Sequence, residues 1–129
     1  MRILLADDQA HVRFALRVLF EREPGLEVVG EVVDAADLLA QLRRVSPDAV
    51  LLDWELPGLA MIGTLSALRD DTPGLIVIAL SGKPEACRAA LESGADAFVS
   101  KADPPERLLT VIEQCGERRG AEWHRHAEV

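Results

Sequence analysis

Two kinds of apolar pattern alternate along this chain: continuous apolar runs, and stretches in which apolar residues recur every three or four positions. The continuous runs predict buried strands, at 2–6, 26–32, 48–53, 74–81 and 96–100. The amphipathic stretches predict helices, at about 9–23, 34–45, 62–70, 84–94 and 104–119. The helix at 62–70 has the weakest pattern of the five.

Residues with strong preferences for helix ends support two of these helices. Asp34 stands at the start of the second predicted helix and is expected to be its N-cap. Pro84 is expected at the first position of the fourth helix, and Gly94 at its end.

The alternation of five strands with five helices predicts an α/β fold on a parallel sheet that is covered on both faces. Right-handed crossovers give such a chain a three-layer, doubly wound (βα)5 architecture. The flavodoxin-like strand order 2-1-3-4-5 is the common solution for five such units, although periodicity does not determine it. The 129 residues suit one core, and we assign 1–118 to a domain and 119–129 to a polar tail or the start of a linker.

The charge balance and the short apolar runs restrict the partners of the chain. The formal net charge is −8, which argues against direct binding of nucleic acid, because phosphate contacts need a basic face. No apolar run approaches the roughly 20 residues needed to cross a bilayer, and no signal segment precedes the first strand. We therefore expect a cytoplasmic protein without a membrane partner. Its two cysteines, Cys87 and Cys115, match no metal-binding spacing.

Carboxylates stand where the first and third predicted strands end. Asp7 and Asp8 follow the first strand, and Asp53 ends the third. In the order 2-1-3-4-5 these strands are neighbours, and ligands bind in the crevice at their carboxyl ends. Three converging carboxylates repel one another unless a cation joins them, and a hard divalent cation such as Mg²⁺ or Mn²⁺ would do so.

The last two strands end in a hydroxyl and an ammonium group. Ser81 ends the fourth strand, and Lys101 follows the fifth. Lys101 is one of only two lysines beside twelve arginines, which favours a role that a guanidinium does not fill. Carboxylates, a metal, a hydroxyl and a lysine together form a phosphoryl site, in which one carboxylate can act as nucleophile and form an aspartyl phosphate.

Four segments in this order, "ILLADD", "LLDWELPG", "IALSG" and "GADAFVSK", resemble the receiver domain of two-component response regulators. The resemblance covers nearly the whole predicted fold. The segments "ADDQAHVRFAL", "EVVGEV" and "SKADPPERLL" are most similar to receivers attached to helix-turn-helix DNA-binding output domains. This resemblance implies a signalling domain that controls transcription through an attached or partner DNA-binding domain.

The resemblance implies a role for each acid at the strand ends. Asp53 would be the phosphoacceptor and would take a phosphoryl group from a sensor histidine kinase. Asp7, Asp8 and Asp53 would hold Mg²⁺ (or Mn²⁺), together with the backbone carbonyl of Glu55. Apart from its own phosphotransfer and autodephosphorylation, such a domain is not expected to be an enzyme.

The resemblance also implies how phosphorylation changes the domain. Ser81 would hydrogen-bond the phosphoryl oxygen after switching, and Lys101 would pair with the phosphoryl group and with Asp53. Phe98 stands at the position of the aromatic switch residue. The face made by the last strand and its two flanking helices would then pair with a second copy or another partner.

Three residues flank the expected site. Trp54 follows Asp53 directly, while Glu55 and Lys83 lie two residues after Asp53 and Ser81. Our hypothesis is that Glu55 and Lys83 form an ion pair across the mouth of the site and slow dephosphorylation. The alternative is two solvated charges, since an exposed pair contributes little energy.

One departure from the family pattern keeps a second function open. Receivers usually carry an acid and a glycine where this chain has Ala60 and Met61, so the entry of the helix at 62–70 loses a cap and a hinge. The alternative is a phosphorylation-independent pseudo-receiver that acts as an interaction scaffold. An aspartyl-phosphate phosphatase is disfavoured because Gln9 stands where a second acid is needed, and a dinucleotide carrier because no glycine-rich loop follows the first strand.

Overall fold

The computed structural model of the chain describes residues 1–62, 65–70 and 72–127, with side chains described up to residue 118. Five parallel strands form one sheet in the order β2-β1-β3-β4-β5, as predicted. The strands are β1 (Arg2–Ala6), β2 (Glu27–Val32), β3 (Ala49–Asp53), β4 (Ile76–Ser81) and β5 (Ala97–Ser100). The α-helices are α1 (Ala10–Glu21), α2 (Ala35–Val45), α3 (Ala86–Glu92) and α4 (Pro105–Ala127).

Both faces of the sheet are buried, which explains the continuous apolar runs. Along β1 successive side chains point to opposite faces. Ile3 belongs to the core cluster that contains Phe20 of α1 and Ile112 of α4. Leu4 belongs to the cluster on the other face, with Leu38 of α2. Because β3 lies between β1 and β4, all five of its residues are buried, including the acid that ends it.

The α-helix predicted at 62–70 is wrong. Two short 3₁₀ turns stand here instead: Leu59–Met61 lies just before this segment and Leu65–Arg69 lies within it, while residues 63 and 64 lie outside the described residues. The first turn begins after Gly58, which has a φ of 82° and offers no side-chain cap. The segment has good helix formers, but it lacks a side-chain cap at Gly58 and contains Gly63, a poor helix former, which disfavours one continuous helix.

A network around Arg69 holds this irregular segment against the sheet. Its Nε donates to the carbonyl of Leu75 at 3.1 Å, and its Nη1 to the carbonyl of Gly94 at 3.0 Å. Its Nη2 lies 2.7 Å from Asp96 Oδ2, which also accepts from the backbone N–H of Val77 at 2.8 Å. The planar guanidinium therefore replaces helix packing with directed bonds to the ends of neighbouring elements.

The helix ends follow the sequence signals with one exception. Asp34 caps α2 by accepting a bond from the backbone N–H of Asp37 at 2.8 Å, as predicted. Gly94 has a φ of 112° just beyond α3, a conformation that favours glycine. Pro84 is not the first residue of α3, because a turn comes first and the helix begins at Ala86.

The last helix is longer than the periodicity predicted. It continues to Ala127 rather than ending near residue 119, and residues 128 and 129 lie outside the described part. The added sequence contains no proline and several good helix formers. Within the described chain, no helix combines the length and the apolar character needed to cross a membrane.

Candidate functional site

The carboxyl ends of four adjacent strands bring the predicted polar residues to one edge of the sheet. Asp7 follows β1, Asp53 ends β3, Ser81 ends β4 and Lys101 follows β5. One oxygen from each carboxylate of Asp7, Asp8 and Asp53 lies within 4.8 Å of the other two. Asp7 and Asp53 are only 1 % and 3 % exposed, whereas Asp8 is exposed. Buried acids so close together form a site that favours a positive charge.

Lys101 supplies that charge. Its Nζ lies 2.8 Å from Asp7 Oδ2 and 3.5 Å from Asp53 Oδ1. Burial alone lowers the pKa of Lys101, but its hydrogen bond to Asp7 and its attraction to both acids outweigh burial. The pKa therefore lies above the ordinary value of a lysine, and the ammonium stays protonated at physiological pH.

Gln9 is a site residue that the sequence did not reveal. Its Oε1 accepts a bond from Lys101 Nζ at 3.2 Å, so the ammonium has a third oxygen neighbour. Gln9 is the N-cap residue of α1 but makes no side-chain cap bond, which leaves its amide group available. The only hint in the sequence is that Gln9 follows the two acids directly. The sequence does not indicate which way its side chain points.

Asp7 is fixed from several sides. Its Oδ1 accepts from the backbone N–H of Gln9 at 2.8 Å, and its carbonyl accepts from Arg13 Nη1 at 2.8 Å. The same guanidinium reaches Glu31 Oε1 at 3.1 Å. Asp7 Oδ2 is buried, and its partner is the ammonium of Lys101 at 2.8 Å. The three carboxylates form an all-oxygen donor set that already attracts a cation, and such a set fits a hard divalent cation.

Asp53 is held through one of its two oxygens. Oδ1 accepts from the backbone N–H of Glu55 at 3.0 Å, whereas Oδ2 accepts no hydrogen bond from a described residue. Burial raises the pKa of Asp53 above its ordinary value, and the charge of Asp7 adds to this effect. The backbone bond and Lys101 act in the opposite direction without outweighing burial. A cation near Asp53 would therefore stabilise its charged form, which burial disfavours.

Ser81 is fully buried, and both functions of its hydroxyl are in use. Its Oγ donates to Glu55 Oε1 at 2.6 Å and accepts from the backbone N–H of Lys83 at 2.9 Å. The ion pair expected between Glu55 and Lys83 is not formed among the described residues. The carboxylate takes the buried hydroxyl instead, and the ammonium of the exposed Lys83 remains at the surface.

Trp54 and Phe98 lie near the site, and their functional roles remain predictions. Trp54 is partly buried against the core cluster that contains Leu4, and its backbone N–H donates to the carbonyl of Leu80 at 2.8 Å. Phe98 is partly exposed on the edge strand β5, paired with Ala79.

Comparison with known proteins places this site in one family. The family model described as the response regulator receiver domain matches residues 3–113. The nitrate/nitrite response regulator protein NarP of Escherichia coli is 34 % identical over 113 residues, which are 86 % of this chain and 53 % of NarP. The virulence factors putative positive transcription regulator BvgA of Bordetella pertussis is 38 % identical over 113 residues, 86 % of this chain and 52 % of BvgA. The chain spans about half the length of these curated relatives.

Solved structures agree with this placement. A two-component response regulator of the LuxR family from Aurantimonas has a TM-score of 0.76 at 34 % identity, over 88 % of this chain and 82 % of that one. NtrX from Brucella abortus has a TM-score of 0.84 at 29 % identity, over 98 % of this chain and 28 % of that one. The strand order, the acidic triad at the edge of the sheet and these matches together show that the chain belongs to the response regulator receiver domain family.

Proposed function

We propose that this receiver domain accepts a phosphoryl group on Asp53 from a sensor histidine kinase. One observation carries the proposal: the nearly buried carboxylate of Asp53 shares its crevice with Asp7 and Asp8 and with the ammonium of Lys101. The crevice opens at the exposed Asp8, and Asp53 Oδ2 is not engaged by a described residue. A nucleophile, positive charge and an opening are what phosphoryl transfer requires.

The transfer balances once the departing imidazole of the kinase takes up one proton from solvent. An Asp53 oxygen attacks the phosphorus of a kinase phosphohistidine, a P–O bond forms, the P–N bond breaks, and its electron pair stays on the imidazole. Mg²⁺ (or Mn²⁺) would be held by Asp7, Asp8, Asp53 and the backbone carbonyl of Glu55, and it supplies neutralisation of the phosphoryl charge. The backbone N–H of Glu55 orients Asp53 by holding Oδ1.

In this proposal, two further side chains contact the phosphoryl group after it is transferred to Asp53. Lys101, already charged and within 3.5 Å of Asp53, pairs with a phosphoryl oxygen. The hydroxyl of Ser81, one strand away, turns to another oxygen. Phe98 on β5 responds to that movement, and the face formed by α3, β5 and α4 then binds a second copy or another partner. Apart from autodephosphorylation, no further reaction is expected.

The proposed output is control of transcription through an attached or partner DNA-binding domain. Support comes from the relatives, because BvgA is named a transcription regulator and this chain matches only about half of it. The domain itself carries a net charge of −8 and is not the part expected to touch DNA.

The experiment is intact-mass measurement after incubation with acetyl phosphate. Wild type should gain one phosphoryl mass only with Mg²⁺ present, and Asp53→Asn should gain none. Asp37→Asn, which changes an exposed acid of α2, is the matched control and should behave like wild type. If wild type gains no mass while folded, the proposal fails and the phosphorylation-independent scaffold is favoured, a reading that the unusual segment around Ala60 and Met61 already suggests.

A further inference from the structure

The hydroxyl of Ser81 has one proton, and in this structure it is donated to Glu55 and not to a group at Asp53. Ser81 Oγ is fully buried and donates to Glu55 Oε1 over 2.6 Å, a short bond of the kind that a charged acceptor forms. The backbone N–H of Lys83 holds the same oxygen from another side. The hydroxyl is therefore fixed in one orientation.

Glu55 connects Ser81 to Asp53. Its backbone N–H donates to Asp53 Oδ1 at 3.0 Å, while its carboxylate accepts from Ser81 on the neighbouring strand. In the register of the sheet, Asp53 pairs with Leu80, so Ser81 follows the residue beside the phosphoacceptor. One residue thus orients the acceptor through its main chain and restrains the hydroxyl through its side chain.

We propose that the carboxylate of Glu55 is a resting-state latch, which must release Ser81 before the hydroxyl donates to a group bound at Asp53. The latch rests on the proposed function, because it assumes that Ser81 contacts the phosphoryl group. Glu55 is exposed, so water satisfies its carboxylate after release. Ser81 is buried and has to find another acceptor, and a phosphoryl oxygen at Asp53 is the one that the site would supply.

The latch assigns Glu55 a different role from the ion pair with Lys83 that we expected from the sequence. Lys83 contributes its backbone N–H, which any residue except proline offers, whereas Glu55 contributes its side chain. Glu55 is a positioning residue: it stabilises the resting orientation of Ser81 and so lowers the population of the switched state. Removing it should favour switching, although an acid near the site is lost at the same time.

A double-mutant cycle separates the latch from that change in charge. Wild type, Glu55→Ala, Ser81→Ala and the double variant are titrated with the phosphoryl mimic BeF₃⁻ at saturating Mg²⁺, and binding is followed by fluorine NMR. Glu55→Ala should lower the half-saturating concentration by about tenfold when Ser81 is present. The effect should be about fivefold smaller in the Ser81→Ala background, because the loss of charge is common to both.

Glu55→Gln is the matched control, since it keeps an acceptor oxygen and removes only the charge. It should lower the half-saturating concentration less than Glu55→Ala. Equal effects of the two substitutions, or an effect of Glu55→Ala that does not depend on Ser81, would overturn the latch while the proposed function stands. If wild type binds no BeF₃⁻, the proposed function fails and the switching role of Glu55 fails with it.

Urea unfolding of the same four proteins without metal tests the restraining bond itself. The two substitutions should be coupled by about fivefold in the unfolding equilibrium constant, because each removes one partner of the same bond. Additive effects in urea would overturn the latch, whatever the proteins do with BeF₃⁻.

Discussion

Lys101 Nζ lies 2.8 Å from Asp7 Oδ2, closer than its 3.5 Å from Asp53 Oδ1. In the resting site the ammonium of Lys101 therefore pairs mainly with Asp7, which would also bind a divalent cation. The two positive charges would share Asp7, and each reduces the affinity of the site for the other.

Replacement of Lys101 by methionine tests this competition. Lys101→Met should lower the Mg²⁺ dissociation constant by about tenfold, because a positive charge near the donors is lost. Phosphoryl uptake from acetyl phosphate should fall at least about tenfold, because the ammonium no longer stabilises the transferred group. Calorimetric Mg²⁺ titration and intact mass give the two quantities. Lys83→Met is the matched control and should change neither more than about twofold; weaker Mg²⁺ binding by Lys101→Met would contradict the competition.

Asp53 makes the stability of the metal-free domain depend on pH. Since its folded-state pKa is raised, Asp53 favours folding at pH values below its unfolded pKa, and this contribution is lost as the pH rises through the folded pKa. Asp53→Asn should therefore raise the Tm in EDTA near neutral pH. Each gain of about 1 kcal/mol in the free energy of unfolding corresponds to a rise on the order of 4 °C. The gain should disappear below about pH 4, where the unfolded aspartate is also protonated. A gain that is equal at both pH values would contradict the assignment, and Asp37→Asn should show no such gain.

Arg69 should contribute strongly to stability, because its hydrogen bonds hold the irregular segment that stands in place of the expected helix. Arg69→Met removes its bonds to Leu75, Gly94 and Asp96 and should lower the free energy of unfolding by about 2–3 kcal/mol. Urea unfolding gives the value. The control is Arg88→Met, which removes only an exposed pair with Glu92 and should cost less than about 0.5 kcal/mol. Similar losses in the two variants would show that the network is not stabilising.

Gly58 should be required by the turn that follows the site. Its φ of 82° disfavours any L side chain, and an added Cβ would lie 3.3 Å from Ala35 Cβ. Gly58→Ala should lower the free energy of unfolding by about 1–2 kcal/mol. Gly74→Ala is a suitable control, because no atom beyond its two chain neighbours lies within 4 Å of its added Cβ. Equal stability of the two variants in urea would be the contrary result.

The sequence predicted the strand order and the residues at the strand ends. Parallel strands place their carboxyl ends at one edge, so Asp7, Asp53, Ser81 and Lys101 meet once the order is known. Hydrophobic periodicity locates the strands and their ends, whereas the strand order came from the common solution for five such units.

Side-chain partners and one irregular segment could not be predicted in the same way. The bond from Ser81 to Glu55 and the contact of Gln9 with Lys101 depend on rotamers at loop positions, on which periodicity carries no information. The helix expected at 62–70 failed because apolar spacing describes which residues face the core and not whether the backbone has a cap.

The loop with Asp7 and Asp8 joins two elements of very different burial. Four of the five residues of β1 are buried, but Phe20 is the only buried residue among the twelve of α1. Amide hydrogens in β1 should therefore exchange with solvent only through global unfolding, while those of α1 exchange through cheaper local opening. Asp7 and Asp8 therefore lie between a strand that opens rarely, β1, and a helix that opens more often, α1. A cation or phosphoryl group that binds them should slow hydrogen exchange in the first turns of α1 more than anywhere in the central strands.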